Sequence, residues 1–348
     1  MLSFYPGPSK VHPEALGYIQ EAFEQGIVSI NHRSERFEKL LEATFEVLHQ
    51  KWNIPKDYTI YFVSSATEAW EIVIQSLVRE KSTHLYNGAF GKKWAHYAGS
   101  VAESIEFRID QSLAEIAQQL GPIKGDTLCL VQSETSNGTG QQIRRANFQL
   151  ADDALIAVDA TSSMGGIELP WNEADIWLAS VQKCMGIPAG MGILICSPKA
   201  LERAKELNRL THYNDVLFLE ENRQMFQTQM TPNVLSIYLV YRLTQQLPAL
   251  SETHRMTAEK MKRWTDFWDN QADFSYLIEK PELRLPTVLA LTGNPEKIKQ
   301  LHTICLNKGI ELGKGYGAWK ETSFRIANFP SHTFEDIETL IQTIKNEL

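Results

Sequence analysis

A lysine stands among small, uncharged residues in "SVQKCMG", residues 180–186, with the apolar runs "DIWLA" before it and "IPAGMGILICS" after it. Burial strips water from an ammonium group and favours the neutral amine. A neutral amine is both a base and a nucleophile toward carbonyl carbon, which makes Lys183 a candidate for covalent chemistry. Taken alone, the same lysine also reads as a buried aliphatic stem whose nitrogen reaches water. Other residues tip the balance. Asp159 closes a second apolar run in "ALIAVDATSS", and Ser65 and Thr67 open an amphipathic segment in "SSATEAW". Phe90 follows a third run in "NGAFGKKW". Ser65 and Thr67 fit an ordinary helix cap, but the free N–H groups of a helix start also bind phosphate. An amine for a Schiff base, a carboxylate for a protonated ring nitrogen, a phosphate seat and an aromatic to stack on a ring are what pyridoxal 5'-phosphate requires.

These residues need strands to end where they begin. "TIYFVSS" reads as a strand over 59–65, and "ATEAWEIVIQSLV" as a helix with Trp70, Val73, Ile74, Leu77 and Val78 on one face. "THLYNGAFG" reads as a short strand and loop, with a helix in "KKWAHYAGSV". "DTLCLVQSE", "ALIAVDATSS", "DIWLASVQK" and "GMGILICSP" repeat one design, an apolar strand that ends in polar residues. Continuous apolar strands imply a sheet covered on both faces, and alternation with helices implies an α/β, mostly parallel, doubly wound sheet. Ligands of such sheets bind beyond the carboxyl ends of the strands, which is where Ser65, Thr67, Glu134 to Asn137, Asp159, Gln182 and Lys183 fall. No GxGxxG follows the first strand, so a dinucleotide fingerprint is missing. After "TPNVLSIYLVYRLTQQL" the texture changes: residues 252–276 read as one long amphipathic helix, followed by strand, helix, strand and helix. The expected division is a large domain over 14–245 and a small α/β domain over 246–348, joined by the N-terminal arm, 1–13.

A formal net charge of −8 argues against a nucleic-acid partner. Cys129, Cys184, Cys196 and Cys305 show no CxxC spacing, so buried reduced thiols are expected rather than zinc or disulfides. No segment is apolar for long enough to span a bilayer, and "MLSFYPGPSK" does not read as a secretory signal. A cytoplasmic protein acting on small molecules is the expectation.

From "FYPGPSKVHP" to "SFRIANFPSHT" the chain resembles the class V aminotransferases of the fold-type I pyridoxal-phosphate enzymes. The resemblance implies a large domain with a seven-stranded, mixed, mostly parallel sheet, a small C-terminal domain, and a homodimer with sites at the subunit interface. It implies that Lys183 forms the Schiff base, that Asp159 pairs with the pyridine nitrogen, and that Phe90 stacks on the ring. Ala66, Thr67, Thr135 and Gln182 match cofactor contacts. Thr231 matches a residue reaching the phosphate from the other subunit, although Met230 stands where the family often has asparagine. "SINHRSERF" resembles a motif in which His32 and Arg33 bind a distal phosphate or carboxylate of the substrate, and Arg325 in "SFRIANF" matches the α-carboxylate arginine. A second His-Arg pair of that branch is missing from "GKGYGAWKETSFR", where Lys314 or Lys320 could supply the charge. The same stretch is similar to the alanine–glyoxylate and serine–glyoxylate branch. The implied activity is transamination between amino acids and keto acids. The cysteine desulfurases, on the same scaffold, place histidines where this chain has Gln182 and Phe90, and the late Cys305 lies in an expected helix.

Overall fold

The computed structural model describes residues 1–209 and 212–347. Strand β1 (Leu2–Phe4) leads into two helices, Ala15–Glu24 and Glu35–Trp52. Strands β2 (Thr59–Val63), β3 (Ser82–Tyr86), β4 (Ala102–Glu106) and β5 (Thr127–Val131) then alternate with helices. A short hairpin, β6 (Ser133–Glu134) and β7 (Thr139–Gly140), precedes β8 (Leu155–Asp159), β9 (Ile176–Ser180) and β10 (Gly192–Cys196). The main sheet runs in the order β2-β10-β9-β8-β5-β3-β4. It is the mixed, mostly parallel seven-stranded sheet expected from the sequence.

Successive residues of one strand feed two different cores, which explains the unbroken apolar runs. In β10, Ile193 and Ile195 join the cluster of Phe37, Leu41, Leu48 and Ile237. Leu194 and Cys196 join Ala69, Trp70, Val73 and Ala200 on the other face. The strand pattern of β10 looked like a fourth copy of the parallel design, yet β10 runs antiparallel to both of its neighbours, β2 and β9. A parallel return needs a long crossover, and the segment between Ser180 and Gly192 holds turns but no helix.

A second sheet gathers the chain's two ends. Its strands are β11 (Phe274–Tyr276), β12 (Val288–Gly293), β13 (Ile310–Lys314) and β14 (Ser323–Ala327), and β1 lies on its edge, parallel to β13. The expected helix over 252–276 is in fact the helix Leu250–Trp268; the polar stretch "DNQAD" breaks it, and Phe274 begins β11. The helix expected to begin at Lys92 starts earlier, at Ala89. Among the described residues no helix is long and apolar enough to cross a membrane.

Phe4 is fully buried in the small-sheet core, edge-on to Trp264 at 5.7 Å and stacked on His332 at 4.9 Å. It anchors the arm that continues through Gly7 into the main cleft. Phe4→Ala should lower stability by about 3–5 kcal/mol, the usual cost of emptying a buried phenylalanine site. Urea unfolding of the variant beside the unaltered protein measures this; a loss under about 1 kcal/mol would mean that the arm is not anchored there.

Candidate active site

Three neighbouring parallel strands, β5, β8 and β9, end side by side, with Val131 opposite Asp159 and Asp159 opposite Leu178. Their ends deliver Thr135, Asp159 and Lys183 to one cleft, which Ala66, Thr67, Phe90 and Gln182 also line. Seven of the residues singled out from sequence therefore converge.

Lys183 is 6% exposed. Its Nζ donates to Thr135 Oγ1 at 2.7 Å and to Ser162 Oγ at 3.0 Å. Burial lowers its pKa to about 8, against the pull of the Asp159 and Glu134 carboxylates. The Phe90 ring lies 5.0 Å from Nζ. Gly7 of the N-terminal arm covers the aliphatic stem: a Cβ there would stand 3.0 Å from Lys183 Cε. Ser9 N–H donates to the Gln182 carbonyl at 3.1 Å, which holds the arm across the lysine turn.

Asp159 is held from two sides. Its Oδ1 accepts the Thr161 N–H at 2.8 Å, and Oδ2 accepts Trp70 Nε1 at 2.9 Å. Burial raises its pKa, and these donors together with Lys183 work in the opposite direction. Ser65 caps the helix Ala66–Leu77 by accepting from the Glu68 N–H at 3.0 Å. The Ala66 N–H is already given to Ser180 Oγ at 2.9 Å, while Thr67, in the first turn, is exposed toward the cleft. Gly192 lets β10 pass beneath this turn, since a Cβ there would lie 2.6 Å from the Ser65 carbonyl carbon.

Phe90 owes its place to a carboxylate from another strand. Glu134, 1% exposed, accepts the Phe90 N–H at 3.2 Å and the Gly91 N–H at 3.1 Å, and so caps the helix Ala89–Ala98. Arg325 is 4% exposed and tied to two parts of the chain: Nε donates to the Lys314 carbonyl of β13 at 2.9 Å, and Nη1 to the Thr135 carbonyl in the β6–β7 turn at 2.8 Å. Thr135 thus takes the lysine on its hydroxyl and the arginine on its carbonyl.

Other expectations do not meet in this cleft. Arg33 is exposed and donates to Asn222 Oδ1 at 2.8 Å and Gln227 Oε1 at 2.5 Å; His32 sits edge-on to Phe37. Thr231 is exposed in a neighbouring groove with Ser64 and Met230. Lys314 and Lys320, the candidates for the missing basic charge, line a different groove of this chain, with Lys299 and His302. Lys314 ends β13 with its side chain exposed, after Gly313 and before Gly315, both buried.

Four residues of the site went unnoticed in the sequence, Gly7, Trp70, Ser162 and Tyr316, and Glu134 was singled out only by its place at a strand end. Tyr316 stacks on Phe90 with ring centroids 5.6 Å apart.

Comparison with known proteins agrees with this geometry. The sequence model of the family "Aminotransferase class-V" matches residues 2–340. The chain is a class-V aminotransferase. A phosphoserine aminotransferase from Rhodococcus opacus is 28% identical over 353 residues, covering 97% of this chain and 92% of that protein. The crystal structure of a phosphoserine aminotransferase from Cytophaga hutchinsonii superposes with a TM-score of 0.92 at 31% identity, covering 100% of this chain and 99% of that one. An alanine–glyoxylate aminotransferase from Nostoc shares the fold, with a TM-score of 0.83 at 21% identity over 99% of this chain and 94% of that one.

The cofactor of this aminotransferase is pyridoxal phosphate, and the residues present fit it. The cleft offers a buried amine, a buried carboxylate with acceptor sites to spare, an aromatic wall and a helix start. Thr161 lies in this lining beside Asp159, its hydroxyl buried with no partner beyond that carboxylate among the described residues, which leaves it free to meet a ligand there as well.

The lysine also sets a pH dependence. Its folded value of about 8 lies below the ordinary 10.5. Between the two, the unfolded chain holds a proton that the folded one does not, so stability rises with pH across that window. Below about pH 8 the full cost of the buried charge is present. Cofactor-free Lys183→Met should therefore be more stable at pH 7 by on the order of 2 kcal/mol, with the difference gone by about pH 10.5. Urea unfolding at pH 7 and pH 10 tests this, and an equal difference at both would place the titration on another group.

Proposed function

We propose that this class-V aminotransferase exchanges the amino group of L-phosphoserine with 2-oxoglutarate, running between 3-phosphohydroxypyruvate plus glutamate and phosphoserine plus 2-oxoglutarate. The observation that carries the reading is the double use of Thr135, which couples Arg325 to Lys183 across one residue. A carboxylate on the arginine then brings the α-carbon of an amino acid toward the amine. The choice of phosphoserine draws on the relatives that bear that name over nearly the whole chain.

When bound, pyridoxal phosphate supplies an aldehyde that takes the amino group and a ring that draws electrons from the α-carbon. The chain does the rest. Asp159 offers a carboxylate to the ring nitrogen, with Trp70 and Thr161 holding its plane. Lys183 Nζ accepts the substrate's α-proton and returns it, a role suited to an amine with a pKa near 8. Phe90 and the Gly7 arm keep water from that nitrogen.

The reading includes a homodimer. His32, Arg33 and Thr231 lie outside the cleft of their own chain, and the helix Ala15–Glu24 leaves Leu16 and Phe23 about two-thirds exposed. A second copy would bring Arg33 to the distal phosphate, where a guanidinium fork suits the anion. Four free, buried cysteines suit a reducing compartment, and a cytoplasmic location is part of the proposal. Burial pushes Cys305 up to about 12, inside the helix Pro295–Asn307, which disfavours a desulfurase thiol. A glyoxylate or pyruvate aminotransferase is the second reading, favoured by Lys314 and Lys320 facing another groove.

Amino transfer to 2-oxoglutarate from L-phosphoserine, L-alanine and L-serine separates the two. Phosphoserine should be the best donor, and Arg33→Ala should raise its KM at least about tenfold while leaving alanine unaffected. Turnover with alanine or serine alone would move the protein to the glyoxylate branch.

A further inference from the structure

We propose that Tyr316 is a substrate-binding residue that covers the carboxylate seat on Arg325 and narrows the passage for the substrate side chain. The inference rests on the transaminase reading and names a part of the same site.

The Tyr316 ring touches both Phe90, which lines the cleft, and Arg325. It is stacked on Phe90 at 28° between planes, and Arg325 Cζ lies over it at 5.5 Å. Phe90 in turn lies 5.0 Å from the reacting amine. Two N–H groups of Arg325 are spent on carbonyls, those of Lys314 and Thr135, and among the described residues Nη2 has no hydrogen-bond partner. A carboxylate docked on that free edge sits beside the Tyr316 ring. The α-carbon then points toward Lys183, and the side chain must leave between Tyr316 and Phe90.

Tyr316 is built to move. It is 41% exposed, and among the described residues its hydroxyl makes no hydrogen bond. It lies between Gly315 and Gly317 in the turn that joins β13 to β14. Gly315 has no room for a side chain, since a Cβ would lie 2.2 Å from the Trp319 carbonyl oxygen, and Gly317 holds φ at +55°. The turn backbone is thus constrained, while the ring rests on the faces of Phe90 and Arg325. Such contacts are weak enough to give way to a substrate and strong enough to matter once it is bound.

The test is steady-state kinetics of the holoenzyme with L-phosphoserine, L-glutamate and L-phenylalanine, beside calorimetric binding of succinate, a dicarboxylate that cannot react. Tyr316→Ala should raise KM for phosphoserine and glutamate about tenfold with kcat within about twofold, and weaken succinate by a similar factor. The preference for phosphoserine over phenylalanine should fall about tenfold as the passage widens. Tyr316→Phe, which keeps the ring, should rescue most of both losses. Unchanged KM and unchanged succinate binding would overturn the proposal. So would a fall in kcat alone, which would mean that the ring only props Phe90. If the unaltered holoenzyme turns over no donor, the transaminase reading fails by itself, and succinate binding still decides the role of Tyr316.

Discussion

An amine with almost no water around it sets the terms for everything near it. At 6% exposure Lys183 cannot carry its proton cheaply. Asp159 and Glu134 pull toward the charged form, yet no hydrogen bond joins either to the lysine; each is satisfied by N–H groups of its own. Among the described residues the nitrogen donates to two hydroxyls, Thr135 and Ser162. Charge is thus balanced at a distance, and the lone pair is released at a pH close to neutral. That balance lasts only while the cleft stays dry, which is the work of Phe90 on one side and the glycine of the arm on the other.

The sheet turns this local demand into a register requirement. Asp159 ends β8, while Thr135 and Lys183 follow the ends of its neighbours β5 and β9, and a slip of one residue in any of these strands would turn its side chains to the opposite face. The antiparallel β10 answers a different need. It returns the chain from the lysine turn to the edge of β2, where Gly192 passes under Ser65 and Ala66. The lysine turn and the proposed phosphate seat are therefore neighbours through the shortest available link, and Ser180 ties them by accepting the Ala66 N–H.

What could be read in the sequence was whatever a strand end announces locally. Lys183, Asp159, Thr135 and the Ser65–Thr67 turn each follow an apolar run, so the rule that ligands bind beyond strand termini was enough to collect them. Partners reached across the chain left no such mark. Trp70 read as one more core residue on its helix face, because nothing in its spacing shows that its indole nitrogen meets Asp159. Glu134 did leave a sign: a carboxylate at the end of a fully apolar strand has to find donors, and it found them at the start of the Phe90 helix. The direction of β10 could not be read either, since a buried antiparallel strand has the same composition as a parallel one. The sequence marks the arm only as rich in Pro and Gly, and its glycine against the lysine is a purely tertiary fact.

That arm makes the cover over the lysine depend on a contact between distant parts of the chain. Leu2 pairs with Ile310 and Phe4 with Leu312, and Gly7, a little further along the same arm, lies against the Lys183 stem. Closing so long a loop is entropically costly. A change in the small sheet that loosens β1 from β13 thus reaches the lysine through the arm, without touching the cleft itself.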